Sequence, residues 1–384
     1  MNSAVSRCSP PRGDHAPHTF KHETGDIDRM AQQQATAPLL SGATRRTDPV
    51  RVWLFAVAGL VFLLVSVGGA TRLTGSGLSI TEWKPIMGVV PPLSEAAWQE
   101  ALEKYRQIPQ YQHVNKGMSL DAFKRIFWWE WTHRFLARFV GVAFLVPFLF
   151  FLATGRIARS LVPKLAGLFA LGGLQGAIGW YMVASGLADR TSVSQYRLAV
   201  HLSLAIVIFA GLLWTALSLG QPTEQRQGDK LPALYRQTAA WVVGLVFVQI
   251  VAGAFVAGLK AGNGYNTWPL MEGRFIPQGL GVMEPLWVNL FENATTVQFN
   301  HRMLAYVLTA VALWHVWSVL SHTEDRAVRM SGLALAIAVS AQVLLGIWTL
   351  LAQVPLSLGL AHQAGAVTVF GVALWHLHTL RSAA

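Results

Sequence analysis

Two short stretches place an imidazole three residues after a polar side chain. In Glu130-Trp131-Thr132-His133-Arg134 the earlier group is a carboxylate; in Gln298-Phe299-Asn300-His301-Arg302 it is an amide. Residues three apart share a helix face, so each pair can address one bound group. A positioned carboxyl can act as a general acid or base, and an amide cannot. Two sites of similar build are expected, with proton chemistry at the first alone.

The elements that must position these residues are membrane helices. Of 384 residues, 53% are hydrophobic and 13% charged, too apolar a balance for an ordinary soluble domain. Runs free of Asp, Glu, Lys and Arg cover 52–71, 139–155, 165–188, 198–223, 237–259, 303–323 and 330–380. A bilayer crossing takes roughly 20 helical residues. The last run is long enough for two and is broken by Pro355, which makes eight. Barrel alternation is missing. The spans are expected at 52–70, from near Trp128, and at 164–184, 196–219, 237–258, 298–320, 330–351 and 359–380.

The net charge of +11 sits at helix ends and in loops, a membrane topology signal that argues against a nucleic-acid partner. Cys8 is the single cysteine, so neither an intrachain disulfide nor a thiolate metal site is expected. Residues 1–50 read as a disordered polar tail, in which His15, His18 and His22 lack anything to fix them. The acids Asp14, Glu23, Asp26 and Asp28 argue against a transit peptide. Arg156, Arg159, Lys164, Arg226, Lys230, Arg236, Arg326 and Arg329 mark one set of loops, which places both termini in the cytoplasm and both long loops outside.

The two halves repeat: helix, long loop, His-Arg helix, short loop, helix, short loop, His helix. Gln175-Gly176-Ala177-Ile178-Gly179-Trp180 is echoed by Gln342 to Trp348 with one extra residue. Four helices return the chain to its starting side, so the repeats are parallel. The expected fold is an all-α membrane protein with eight transmembrane helices as two tandem four-helix bundles. Its divisions are a tail at 1–50, an N-terminal half at 51–220, a cytoplasmic linker at 221–236 and a C-terminal half at 237–384.

Each even-numbered helix carries one histidine near its outer end: His133, His201, His301 and His362. The separations within halves are similar, 68 and 61 residues. Ionisable side chains inside membrane helices are costly and usually face the bundle interior for a reason. Two imidazoles from facing helices can supply both axial ligands of a haem iron. Zinc wants four ligands, or three and a water, and each half offers two histidines. Gly141, Gly211, Gly365 and Gly371 can give a macrocycle room, though helix packing explains them as cheaply. Arg72, Arg134, Arg138 and Arg302 can pair with propionates or simply snorkel. His315 and His376 follow His301 and His362 by fourteen residues, about 21 Å of helix. A second stacked haem and an interfacial position both remain open for them. The first half has Pro147 and Thr215 at those offsets.

The chain resembles the haem A synthases of cytochrome oxidase assembly over about residues 50–380. The resemblance rests on Gly68-Gly69-Ala70-Thr71-Arg72-Leu73-Thr74-Gly75-Ser76-Gly77-Leu78, on Trp83-Lys84-Pro85, and on Glu130 with His133-Arg134. It extends to Tyr265-Asn266-Thr267-Trp268-Pro269-Leu270-Met271 and to His201, His301 and His362. The resemblance implies oxidation of a ring methyl of haem O to a formyl group by successive hydroxylations. It implies a substrate haem at His133 and His201, Glu130 as the catalytic acid, and a haem b cofactor at His301 and His362. All four histidines are then iron ligands. Some members carry a cysteine pair in an outer loop; this chain looks like the cysteine-free type of proteobacteria and mitochondria. A cell inner-membrane location follows. An electron donor is implied but not identified; contact with haem O synthase and self-association are compatible, though no stretch encodes either. Two rival readings are a b-type cytochrome that only passes electrons and a transporter with parallel repeats. The plainer reading of Glu130 is an ion pair with Arg134 one turn on.

Overall fold

A computed structural model of the chain describes residues 48–83, 87–220 and 231–382. Cys8, the tail histidines, Lys84, Pro85, Arg226 and Lys230 lie outside the described residues. Among those described, eight helices are long and apolar enough to cross a bilayer. They are α1 (Pro49–Leu73), α2 (Leu120–Ala153), α3 (Val162–Asp189), α4 (Gln195–Ser218), α5 (Ala233–Gly258), α6 (Ala294–Leu320), α7 (Arg326–Leu351) and α8 (Leu356–Ser382). The chain is a multi-pass membrane protein.

The helices are longer than the apolar runs at most of their ends because their caps are polar. Asp48 accepts from the Val50 amide ahead of α1, Ser119 from the Ala122 amide ahead of α2, and Asn293 from two amides at the start of α6. Asp325 does the same for α7. The largest difference is at α2, which begins at Leu120 rather than near Trp128. His133 therefore sits about three and a half turns into its helix, not at its entrance. Large apolar side chains such as Trp241, Trp317 and Ile337 stay outward-facing, as lipid-exposed positions should.

Packing gives two closed rings. In the first, α1 packs on α2, α2 on α3, α3 on α4 and α4 on α1; in the second, α5, α6, α7 and α8 do the same. The rings meet through α4 on α5, α8 on α1, and α4 on α8. Exchanging α1–α4 with α5–α8 maps this set onto itself, as expected of parallel repeats. In each ring the two histidine-bearing helices stand at opposite corners.

The stretch between α1 and α2 is more than a loop. Short helices at Glu95–Arg106 and Pro109–His113 pack with the start of α2 around Trp98, Leu102, Tyr105, Phe123 and Phe127. Tyr105 donates to Gln110 Oε1 at 2.9 Å and accepts from Asn115, while Gln110 Nε2 reaches the Gly75 carbonyl. This apolar unit, with Leu78 in its core, anchors the segment that meets Glu130.

Candidate functional site

Each histidine faces a glycine on the helix before it. A Cβ built on Gly68 would lie 3.1 Å from the His133 ring, on Gly179 3.0 Å from His201, on Gly253 3.3 Å from His301, and on Gly346 2.8 Å from His362. These glycines let a helix backbone approach an imidazole closely. The four glycines expected to make room for a macrocycle do other things. Gly211 receives Leu168, Gly365 receives the Gln342 amide, Gly371 receives Phe209, and Gly141 has nothing within 4 Å.

Four residues before three of those glycines stands a glutamine. Gln175 Nε2 donates to the His201 carbonyl at 2.9 Å and lies 3.4 Å from its ring nitrogen. Gln249 donates to the His301 carbonyl at 3.1 Å and lies 3.1 Å from Nδ1. Gln342 donates to the His362 carbonyl at 2.8 Å and lies 3.1 Å from Nδ1. The Oε1 atoms of all three glutamines are buried without a hydrogen-bond partner. The motif Gln-x3-Gly thus recurs in α3, α5 and α7. Its α3 and α7 copies align without the extra residue that the terminal tryptophans suggest. In α1 the equivalent of glutamine is Leu64, one turn from Gly68. Among the described residues no hydrogen bond reaches His133.

His133 and His201 are close enough to interact electrostatically, as are His301 and His362. Two imidazoles on diagonal helices, each backed by glycine, fit the donor set of a six-coordinate haem iron. The four residues are also only partly buried, unlike closed packing histidines.

Glu130 is 2% exposed and accepts four hydrogen bonds. Ser79 Oγ and the Ile80 amide reach Oε2 at 2.8 Å each; Arg134 Nε and Nη2 reach Oε1 at 3.1 and 2.6 Å. Arg134 also donates to the carbonyls of Ile80 and Glu82. The ion pair one turn apart is therefore present, but it is buried, so the few tenths of a kcal/mol of an exposed pair do not describe it. In the second half Arg302 donates to the carbonyls of Tyr265 and Thr267, and Gln298 donates to Gly264 at 2.7 Å. Ile80-Thr81-Glu82-Trp83 thus occupies the place of Tyr265-Asn266-Thr267-Trp268. The polarity at the key position is reversed: Glu130 accepts from its loop, Gln298 donates to it.

The arginines expected at propionates are engaged with protein. Arg134 and Arg302 hold the loops just described, and Arg72 Nη2 caps α5 through the carbonyls of Ala257 and Gly258 at 2.8 and 2.9 Å. Arg138 is partly buried one turn beyond Arg134. His315 and His376 are buried between helices, 1% and 0% exposed. Their Nε2 atoms lie 3.1 Å apart, with Thr238 and Ser331 hydroxyls on the opposite nitrogens at 2.8 and 2.9 Å.

A family model described as cytochrome oxidase assembly protein (COX15-CtaA) matches residues 51–374. The chain belongs to the COX15-CtaA family. Relatives named "Heme A synthase" match nearly end to end. The one from Parvibaculum lavamentivorans is 58% identical over 85% of this chain and 93% of its own length. That of Chelativorans sp. is 52% identical over 92% and 97%, and that of Nitrosomonas eutropha 49% over 86% and 94%. The matched span contains Glu130, His133, His201, His301, His362 and all three Gln-x3-Gly motifs. Those motifs were visible in the sequence as a spacing, but helix packing explains a lone glycine and glutamine equally well. Only the pairing of odd with even helices shows what they contact.

Proposed function

We propose that this member of the family oxidises a ring methyl of haem O to a formyl group by successive hydroxylations, giving haem A for cytochrome oxidase. His133 and His201 hold the substrate haem in the half spanning 51–220. His301 and His362 hold a haem b cofactor in the half spanning 237–384. The residues from 221 to 236 are the linker between them. The observation that carries this reading is an asymmetry between two sites of similar build: a buried carboxylate, Glu130, beside one histidine and an amide, Gln298, beside the other.

When bound, the haem irons supply the redox chemistry. The chain's own residues position and desolvate the substrate and move protons. His133 and His201 fix the porphyrin from diagonal corners. Glu130, beside Ser79 and the loop amide of Ile80, is the group placed to move protons at that site during methyl oxidation. Gln298 has no exchangeable acid proton, which suits a site that only relays electrons. The excess of Lys and Arg in the loops at one end supports cytoplasmic termini in a cell inner membrane, with Glu130 toward the opposite side. Electrons come from a donor outside this chain.

Pigment extraction tests the reading. Cells that make haem O should accumulate formyl-bearing haem only with this chain present. Changing His301 and His362 together to alanine should remove the haem b absorbance of the purified protein. Full pigment after that double change rejects the ligand assignment; unaltered haem b with no haem A formed supports a b-type cytochrome instead.

A further inference from the structure

We propose that Gln175, Gln249 and Gln342 are positioning residues that hold three of the four axial histidines. On this view Leu64 leaves the fourth, His133, unheld so that the first-half haem can exchange. The inference rests on the haem-ligand reading above and adds to it. An imidazole that binds iron through one nitrogen carries a proton on the other, and that N–H needs an acceptor. Gln249 and Gln342 place their amides 3.1 Å from Nδ1 of their histidines and Gln175 places its own 3.4 Å from Nε2, each anchored on the same histidine's carbonyl. Each also keeps a buried Oε1 with no partner. Turning the amide so that Oε1 faces the ring gives the N–H that oxygen, in exchange for the bond from Nε2 to the histidine carbonyl. A buried acceptor without a donor is otherwise a standing penalty, and it recurs in all three glutamines.

The fourth place breaks the pattern. Gly68 lies against His133 as Gly253 lies against His301, so residue 64 occupies the position of Gln249. Leucine there can neither orient the ring nor accept its proton. The second half therefore has two held ligands and the first half one. A cofactor must stay, and a substrate must enter and leave as product. The distribution of glutamines matches that division.

Midpoint potential and haem loss test this in the full-length protein. An acceptor on the imidazole N–H strengthens donation to the ferric iron. Gln249→Leu should therefore raise the potential of the second-half haem and Gln249→Glu lower it, opposite shifts that a packing role does not give. Outer-shell partners of this kind change affinity about 10–100-fold. Gln342→Leu should speed transfer of that haem to apomyoglobin by a similar factor. Leu64→Gln should slow loss of haem O from the first half, and Gln175→Leu should speed it. Shifts of one sign for both Gln249 variants overturn the proposal. So do unchanged loss rates in folded, monodisperse Leu64→Gln and Gln175→Leu proteins. An unaltered chain that purifies without porphyrin refutes the ligand reading instead.

Discussion

Gln363, the residue after His362, donates from Nε2 to the main-chain oxygen of Val65 at 2.6 Å, across the boundary between the two rings. Its amide lies over Gly69, the neighbour of the glycine that backs His133. His362 is thus two packed contacts from His133. Polar side chains that bond across membrane helices contribute modestly, about 0.6 kcal/mol on average.

Gly69→Ala tests this seam. Its Cβ would fall 2.1 Å from Gln363 Oε1, so the amide must leave Val65. The loss of that bond should cost about 0.5–1.5 kcal/mol and lower the melting temperature in detergent. Gln363→Ala makes room, so the double variant should be no less stable than Gln363→Ala alone. A further drop in the double variant would mean that the clash is with backbone.

Glu130→Gln should keep both haems and lose conversion of haem O. It also replaces an acceptor of four donors with an amide that must turn its NH2 toward Arg134 or the Ile80 amide. Breaking a buried pair in this way typically costs about 3–5 kcal/mol. Arg134→Ala separates the roles, because it breaks the same pair while leaving the acid. If both variants fold, only Glu130→Gln should abolish haem A formation in extracts. Equal activities would reduce Glu130 to a structural anion.

The His315–His376 pair should be structural. All four ring nitrogens already have partners at 2.8 to 3.1 Å. His376→Ala leaves His315 Nε2 and Ser331 short of a partner, a loss of about 1–3 kcal/mol. Thermal stability should fall while the haem-to-protein ratio stays unchanged. A lower ratio would point to a third haem.

Much of this is legible in the sequence. Apolar runs gave the eight spans, and the echo of Glu130-x2-His133 in Gln298-x2-His301 gave the duplicated site. The rest depends on contacts between elements distant in sequence. Ser119 hid the true start of α2 behind amphipathic turns, and the aromatic core around Tyr105 turned an apparent loop into a folded unit. Arg72 read as an interfacial cation, yet its partners are carbonyls 185 and 186 residues away. The contact between His315 and His376 is not visible in the sequence, because depth along a helix does not reveal which face is covered.

Tyr105 should hold that folded unit together. Tyr105→Phe leaves Gln110 and Asn115 without the hydroxyl, and local opening should raise proteolysis between α1 and α2. Burial, with a smaller push from the Glu130 charge, raises the phenol above its ordinary value. A group whose pKa is higher folded than unfolded stabilises fully below its unfolded value, about pH 10, and loses that contribution as pH rises further. Resistance to protease should therefore fall above about pH 10 in the unaltered chain, with a shallower fall in Tyr105→Phe.

Gly346→Ala should disturb the proposed second-half haem site without replacing either histidine. The new methyl would stand 2.8 Å from His362 Cε1, inside contact distance, so the ring must tilt or the helices part. Gly141→Ala is the matched control: nothing lies within 4 Å of its Cβ, and alanine in a helix gains roughly 0.5–1 kcal/mol over glycine. The control should be neutral or slightly stabilised with unchanged spectra. Gly346→Ala should shift the electron paramagnetic resonance of the second-half haem, because those signals report the relative orientation of the two imidazole planes. An unchanged spectrum in a folded, haem-loaded Gly346→Ala protein would show that the glycine serves helix packing and not the placement of His362.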